Sequence, residues 1–235
     1  MDFFDSLIDK TLSVIENKSQ RSYGFDSNKQ WQDIGYSSVI LQRDTAFEIS
    51  GTGFCLVTSK VTDFKTVVVG EDLSEIKADR KFARVAVVEV DDCGDGQAAY
   101  DLIKKIEYVK YHFFPDGYMV RSASSSFKES ARISKKALKG GITFEKLGNL
   151  MIDKFKAIPD VKGATVYFIA DSGVDYSEFK AIAEKNREVT EALNQVMNNL
   201  EFDCASCNLK PICDEVEGMR ELHFKNSKSG GKQRG

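Results

Sequence analysis

The chain has 235 residues, of which 42% are hydrophobic, and its formal net charge is −3. This length and apolar content suffice for a buried core in one large domain or two small ones. The slightly acidic charge argues against an extended nucleic-acid surface, and no segment approaches the roughly eighteen uncharged apolar residues of a membrane helix.

The N-terminal segment predicts an amphipathic helix over residues 2–18, because apolar side chains recur there at helical spacing. Its acidic start differs from the basic start of a secretory signal, so we expect a cytoplasmic protein. Short strand patterns follow at 38–41, 45–49, 54–57, 67–69 and 83–90. Gly51, Thr52 and Gly53 predict a turn between the second and third of these strands. The first half is therefore expected to be mostly sheet.

The second half mixes helical and strand patterns without a regular alternation. Helices are predicted at 97–113, 127–139, 144–158 and 176–200, and strands at 118–120 and 161–169. Asp95 is placed to cap the first of these helices, and Gly140 and Gly141 to end the second. Together the elements predict an α+β fold with a mixed or largely antiparallel sheet covered by helices, and with a C-terminal cysteine-rich metal-binding loop.

Near the C-terminus, three of the five cysteines lie within ten residues: Cys204, Cys207 and Cys213. Thiolates at C-x2-C-x5-C spacing can converge on one soft metal centre. A disulfide framework is not expected, because the number of cysteines is odd and the cytoplasm is reducing. The compact run fits three corners of a [4Fe–4S] cluster, whereas zinc modules usually pair two short knuckles. Structural zinc and a bare thiol pair are the alternatives.

A fourth metal ligand has one nearby candidate, His223, which is the tenth residue after Cys213. The other histidine, His112, lies among aromatic residues, where a packed or surface histidine is expected. Cys55 has apolar neighbours and is expected to be a small buried residue. Cys93 lies in a turn and would approach the cysteine cluster only through tertiary folding.

Several stretches of the chain resemble the middle of acetyl-CoA synthase, the β subunit of the carbon monoxide dehydrogenase/acetyl-CoA synthase complex. They are residues 133–141 (ISKKALKGG), 144–155 (FEKLGNLMIDKF), 166–171 (VYFIAD) and 204–207 (CASC). In that family a C-x2-C pair begins a cysteine quartet that holds the [4Fe–4S] half of a nickel-containing cluster. Cys204 and Cys207 look like that pair, Cys213 looks like the third ligand at a shorter interval, and His223 stands at the position of the fourth.

Three segments are expected: an α+β domain at 1–200 that resembles the central domain of that family, an iron–sulfur segment at 201–224, and a tail at 225–235 that is expected to be disordered because it lacks apolar side chains. The family's Cys-Gly-Cys motif, which holds nickel, does not occur in these residues, so a complete nickel site is not expected. The leading hypothesis is a stand-alone iron–sulfur protein of anaerobic one-carbon metabolism, acting in electron transfer or in metal or small-molecule handling. A redox protein or a carbon monoxide dehydrogenase-type protein is the expected partner.

Two other functions remain open. The chain would retain part of the acetyl-CoA synthase chemistry if a partner chain supplied the missing nickel ligands. Alternatively, it would be a binding module whose cysteines staple the C-terminus around zinc. Nickel content and acetyl exchange separate the first of these from the leading hypothesis, and stoichiometric zinc in a colourless protein separates the second.

Overall fold

The computed structural model describes residues 2–91, 97–123 and 127–197. Within these ranges there are five helices: α1 (Asp2–Ile15), α2 (Gln97–Val109), α3 (Lys135–Lys139), α4 (Phe144–Lys156) and α5 (Tyr176–Met197). The same described residues form seven strands: β1 (Gln20–Gly24), β2 (Thr45–Thr58), β3 (Lys65–Gly70), β4 (Arg80–Val90), β5 (Tyr118–Ser122), β6 (Lys128–Ser134) and β7 (Val161–Ala170). Short 3-10 turns lie at Ser27–Lys29 and Gln42–Asp44.

All seven of these strands form one mixed sheet in the order β1-β3-β7-β4-β2-β6-β5. The pairs β2/β4 and β3/β7 are parallel, and the other four pairs are antiparallel. The prediction of an α+β fold with a mixed sheet is confirmed for the described residues. The predicted cysteine-rich loop lies outside them.

Both faces of the sheet are covered by helices. Helices α2 and α4 pack on the face that presents Phe82, Ala86 and Val88 of β4, which belongs to the larger apolar cluster. Helix α1 and the first half of α5 pack on the opposite face, against Ala83 and Val85. This alternation along β4 follows from the two-residue period of a strand, which sends neighbouring side chains to opposite faces.

Strand β2 is continuous, and the turn predicted at Gly51, Thr52 and Gly53 is wrong. The strand pairs with β4 and β6 along this stretch, with Gly53 opposite Arg84 and Gly51 opposite Glu129. A Cβ at position 51 would overlap the carbonyl oxygen of Phe82, and one at position 53 would overlap the Glu129 carboxylate. These glycines therefore allow other parts of the protein to lie close to the β2 backbone inside the sheet. In the sequence alone, glycines with this role cannot be distinguished from glycines that mark a turn.

The helix predicted over 127–139 is also wrong, because most of this segment forms strand β6. Glu129, Ala131 and Ile133 are buried while their neighbours are more exposed, which is the two-residue period of a strand. The helical part is limited to the five residues of α3, which Ser134 begins by accepting a hydrogen bond from the Ala137 N–H at 3.0 Å. The Lys, Glu, Ala and Arg residues of the segment favour helices in isolation, and pairing with β2 and β5 overrides that preference.

Other element boundaries differ from the predictions in smaller ways. Residues 38–41 form no strand; the backbone N–H of Ile40 instead lies 3.4 Å from the Met119 sulfur. Strand β1, at the edge of the sheet, was not predicted, and its polar sequence QRSYG carries little apolar alternation. Helix α2 ends at Val109 rather than at 113. The Asp95 cap falls outside the described residues.

Helix α5 forms the last described part of the chain. It begins on the α1 side of the sheet, where Phe179, Ile182 and Ala183 are buried. Farther along, Val189 and Ala192 join the apolar cluster that contains α2. Between these two contacts, the Asn186 side-chain N–H donates 3.0 Å to the carbonyl oxygen of Cys55 in β2. The helix is thus tied to the sheet before the chain continues toward Cys204.

Candidate functional site

A buried ion pair lies near the centre of the sheet, on the face covered by α2 and α4. Arg84 of β4 donates from Nη2 to Oε2 of Glu129 of β6 at 2.6 Å, and both side chains are only 2% exposed. Charged residues are almost never buried to this extent unless they are paired. Removal of two charges from water is costly, so the position of this pair calls for a structural explanation.

The pair is formed across a strand that lies between its two partners. Strands β4 and β6 are not neighbours, because β2 runs between them. Gly53 of β2 stands opposite Arg84 in register, and its missing side chain leaves room for the Glu129 carboxylate. The guanidinium and the carboxylate therefore meet above a bare stretch of β2 backbone.

Further contacts satisfy part of the pair's hydrogen-bonding capacity. The Ser122 hydroxyl donates to Glu129 Oε2 at 3.1 Å, and Arg84 Nη1 approaches the Met151 sulfur at 3.4 Å. The Arg84 guanidinium also lies 5.3 Å from the centroid of the Phe113 ring. The second carboxylate oxygen of Glu129 has no hydrogen-bond partner among the described residues. A fully buried acceptor left in this state is uncommon in proteins.

A pocket of about 340 Å³ adjoins this pair. Its lining includes Lys110, Phe113, Phe114, Tyr118 and Ser122. Tyr118 is 2% exposed, and its hydroxyl has no hydrogen-bond partner among the described residues. Burial raises the pKa of Tyr118 above its ordinary value, and the nearby Glu129 charge acts in the same direction. The hydroxyl therefore keeps its proton and is a hydrogen-bond donor that is buried in the wall of the pocket.

A second concave surface is a more open groove with a volume of about 710 Å³. Its lining includes Tyr36, Val39, Lys135, Lys136 and Lys139. Val39 is 84% exposed and Tyr36 is 68% exposed, so the groove is a shallow surface feature. The smaller pocket is the better candidate for a ligand, because Tyr118, whose buried hydroxyl has no hydrogen-bond partner among the described residues, lies in its wall.

The residues predicted to bind metal, Cys204, Cys207, Cys213 and His223, lie outside the described residues, as does Cys93. Cys55 is described, and it is a free cysteine that is 4% exposed. Burial raises the pKa of its thiol to about 12, which makes the thiolate that a metal requires unfavourable. The prediction that Cys55 is a small buried residue is confirmed.

His112 packs on its own segment. Its ring stacks on that of Tyr108 with 3.5 Å between the centroids, and its Nδ1 lies 3.1 Å from the Tyr108 carbonyl oxygen. The Phe114 ring meets it edge-on at 6.0 Å. His112 is thus part of an aromatic stack beside the pocket, in agreement with the expectation of a packed or surface histidine.

The sequence interpretation did not single out Arg84, Glu129, Lys110 or Tyr118. One signal was present for Arg84, which interrupts the apolar run Ala83-Arg84-Val85-Ala86-Val87-Val88 and so places a charge in a buried strand. Such a charge demands a buried partner. Nothing local in the sequence identifies Glu129 as that partner, because the pair is brought together by the strand order of the sheet.

Within residues 2–91, 97–123 and 127–197, no group of three or more His, Cys, Asp and Glu side chains is placed to hold a metal ion. Within the same ranges, no helix has the length and the apolar character that a membrane-spanning helix requires. No family model matches the chain, and no curated protein matches it in sequence. Function is therefore argued from the chain's own residues.

Proposed function

We propose that this chain is an iron–sulfur protein that binds one [4Fe–4S] cluster through Cys204, Cys207 and Cys213. The observation that carries the proposal is the C-x2-C-x5-C spacing, in which three soft ligands fall within ten residues. Cys204 is the seventh residue after Met197, the last described residue of helix α5. In sequence, the ligand run therefore comes a few residues after a helix that is packed against the folded domain.

The donor set fits an iron–sulfur cluster. Three thiolates bind three of the four irons, and the imidazole of His223 is the candidate ligand for the fourth, since histidine also ligates iron in some iron–sulfur centres. Cys55 is unsuited to this role, because burial of its thiol opposes ionisation. A reducing cytoplasm, where we place the protein, keeps such thiols available to iron. When bound, the cluster would supply one-electron chemistry, with a potential set by burial and hydrogen bonds around the sulfurs.

The resemblance to acetyl-CoA synthase supports a role in anaerobic one-carbon metabolism. We propose electron transfer or the handling of a metal or small molecule there, with a redox protein or a carbon monoxide dehydrogenase-type protein as partner. Because no Cys-Gly-Cys motif occurs in the 235 residues, nickel chemistry would need ligands from another chain. Nickel analysis of the protein mixed with such a partner distinguishes this case.

The proposal is tested by metal and sulfide analysis of the full chain purified without oxygen. We expect a brown protein with about four irons and about four sulfides per chain. Cys207→Ser should lose most of both, because one of three cluster ligands is weakened. Cys55→Ala is the matched control and should keep the cluster, since it removes a buried thiol from the sheet.

Two results would overturn the proposal. One is a colourless protein that binds zinc stoichiometrically and contains no inorganic sulfide, which is the outcome expected of a zinc-stapled binding module. The other is equal iron and sulfide in the Cys207→Ser and wild-type proteins. Separate analysis of His223→Ala reports on the fourth iron, which should become labile if the imidazole holds it.

A further inference from the structure

The pocket beside the Arg84–Glu129 pair is lined by a buried cation that has no carboxylate partner in the described part of the chain. Lys110, directly after helix α2, is 5% exposed. Among the described residues, the aromatic ring of Tyr111, with its centroid 4.9 Å from Nζ, is the interaction recorded for the ammonium group. Two carboxylates of this part of the chain are engaged by other cations: Glu129 by Arg84 at 2.6 Å and Glu107 by Lys104 at 3.0 Å.

Among the described buried side chains of this region the charge is therefore positive by one, and Arg121, which also lines the pocket, adds a positive charge that is exposed to solvent. Arg84 and Glu129 cancel, while Lys110 remains without a counter-ion in the described structure. A buried ammonium without an anion loses much of its hydration with little in return. A ligand with a single negative charge would restore the balance.

Hydrogen-bond donors in the pocket match such an anion. The Tyr118 hydroxyl is buried, protonated and without a partner among the described residues. Tyr118 and Lys110 both line the cavity, so a ligand that reaches the buried hydroxyl would meet two donors. A carboxylate accepts several hydrogen bonds through its two oxygens, and bonds to a charged group are the stronger ones.

The apolar side chains of the lining determine what kind of group the ligand can carry besides its carboxylate. Tyr111, Phe113 and Phe114 contribute aromatic surface, and Val120 adds an aliphatic side chain. The volume of about 340 Å³ is at the small end of the range for ligand pockets. Aromatic walls favour a flat apolar group that stacks on them.

We propose that this pocket binds a small monocarboxylate with a flat apolar body, whose carboxylate contacts Lys110 and Tyr118. The site lies within the described domain and does not depend on the proposed iron–sulfur cluster. Glu129 and Arg84 are positioning residues. Glu129 accepts hydrogen bonds from Arg84 and from Ser122 of the pocket lining, so its charge is neutralised by Arg84 and the Lys110 ammonium can pair with the ligand.

Benzoate is the probe for this site, and benzyl alcohol is the matched uncharged compound. Binding to the full chain is measured by calorimetric titration, supported by ligand-observed NMR. We expect saturable benzoate binding and at least about tenfold weaker binding of benzyl alcohol, because a charge-assisted hydrogen bond is lost. No saturable binding of benzoate at about 10 mM would overturn the proposal.

Two variants identify the site. Lys110→Met should weaken benzoate binding about tenfold to a hundredfold, whereas Lys105→Met, which changes an exposed lysine of helix α2, should leave it unchanged. If Lys110→Met does not fold, Tyr118→Phe provides the test, since it removes one oxygen and should weaken binding about threefold to tenfold. Equal benzoate affinity in the folded Lys110→Met and Lys105→Met proteins, or in Tyr118→Phe and wild type, would refute the assignment.

Discussion

Two arginine–glutamate pairs lie on neighbouring strands of the same sheet. Their N–O distances are similar, but their burial differs. Arg84–Glu129 measures 2.6 Å and Arg132–Glu48 measures 2.8 Å. The first pair is 2% exposed on each side, whereas the side chains of the second are 28% and 36% exposed. The distance between charged atoms therefore says little about what each pair does for the protein.

Topology explains the difference in burial. Glu48 and Arg132 are direct cross-strand neighbours on β2 and β6, so their pairing needs no special packing. Arg84 and Glu129 belong to strands that β2 separates, and they meet only because position 53 is a glycine. Water can replace either partner of the exposed pair, but it has little access to the buried one.

The largest expected effect comes from removal of one buried partner. Glu129→Ala leaves the Arg84 guanidinium buried without its carboxylate, and we expect a loss of about 3–5 kcal/mol in the free energy of unfolding. Glu48→Ala is the matched control and should cost less than about 1 kcal/mol. Urea unfolding of both variants measures the difference. Equal losses would contradict the distinction between the pairs.

The second prediction concerns the glycine over which the buried pair meets. In Gly53→Ala the new methyl group would overlap the Glu129 carboxylate, so we expect a loss of about 1–3 kcal/mol. Gly24→Ala is the control, because nothing lies within 4 Å of a Cβ at that position, and its effect should stay within about 0.5 kcal/mol.

A double variant sharpens this test. In the Glu129→Ala background the carboxylate is gone, so Gly53→Ala should cost less than it does in the wild type. Urea unfolding of the four proteins of this cycle gives the coupling energy. Additive losses would mean that position 53 requires glycine for a reason unrelated to the ion pair.

A smaller effect is expected from the pH dependence of two neighbouring carboxylates, Asp72, which is buried, and Glu75, which is more exposed. Burial raises the pKa of Asp72, although its carboxylate accepts hydrogen bonds from the N–H groups of Phe144 and Leu73. The hydrogen bond from Arg21 lowers the pKa of Glu75. Asp72 therefore favours folding most below its unfolded pKa, and this contribution is lost as pH rises through its folded pKa. Glu75 contributes above its unfolded pKa, and its contribution is lost as pH falls through its folded value.

These signs predict opposite pH trends for two isosteric variants. Relative to wild type, Asp72→Asn should gain stability as pH rises from acid toward neutral, because a buried charge is avoided. Glu75→Gln should lose stability over the same range, by less than about 1 kcal/mol, because its pair with Arg21 is solvent-exposed. Thermal unfolding at several pH values measures both. Parallel trends in the two variants would contradict the account.

The sequence predicted the apolar elements of the fold better than the elements that contain polar residues or glycine. Helix α4 and strand β7 have strong periodicity, and both were found close to their expected positions. Strand β6 was mistaken for a helix, because its residue types favour helices and its register depends on β2 and β5. The glycines of β2 were mistaken for a turn, since their function lies in contacts with β4 and β6.

The pocket could not be predicted for a related reason. Lys110, Tyr118 and Glu129 are distant from Arg84 in sequence, and only the strand order β4-β2-β6-β5 with α2 above it brings them together. The predicted cluster ligands present the opposite case. Cys204, Cys207 and Cys213 form a local pattern that the sequence alone reveals, and they stay a prediction because they lie outside the described residues.

Mössbauer spectroscopy of the full chain, loaded with ⁵⁷Fe without oxygen, tests the central claim most directly. The account predicts a [4Fe–4S] spectrum in which three thiolate-bound irons are accompanied by one iron in a different environment. That fourth iron should change in His223→Ala while the other three remain. A spectrum without a [4Fe–4S] centre, in a chain that instead retains stoichiometric zinc, would contradict the account.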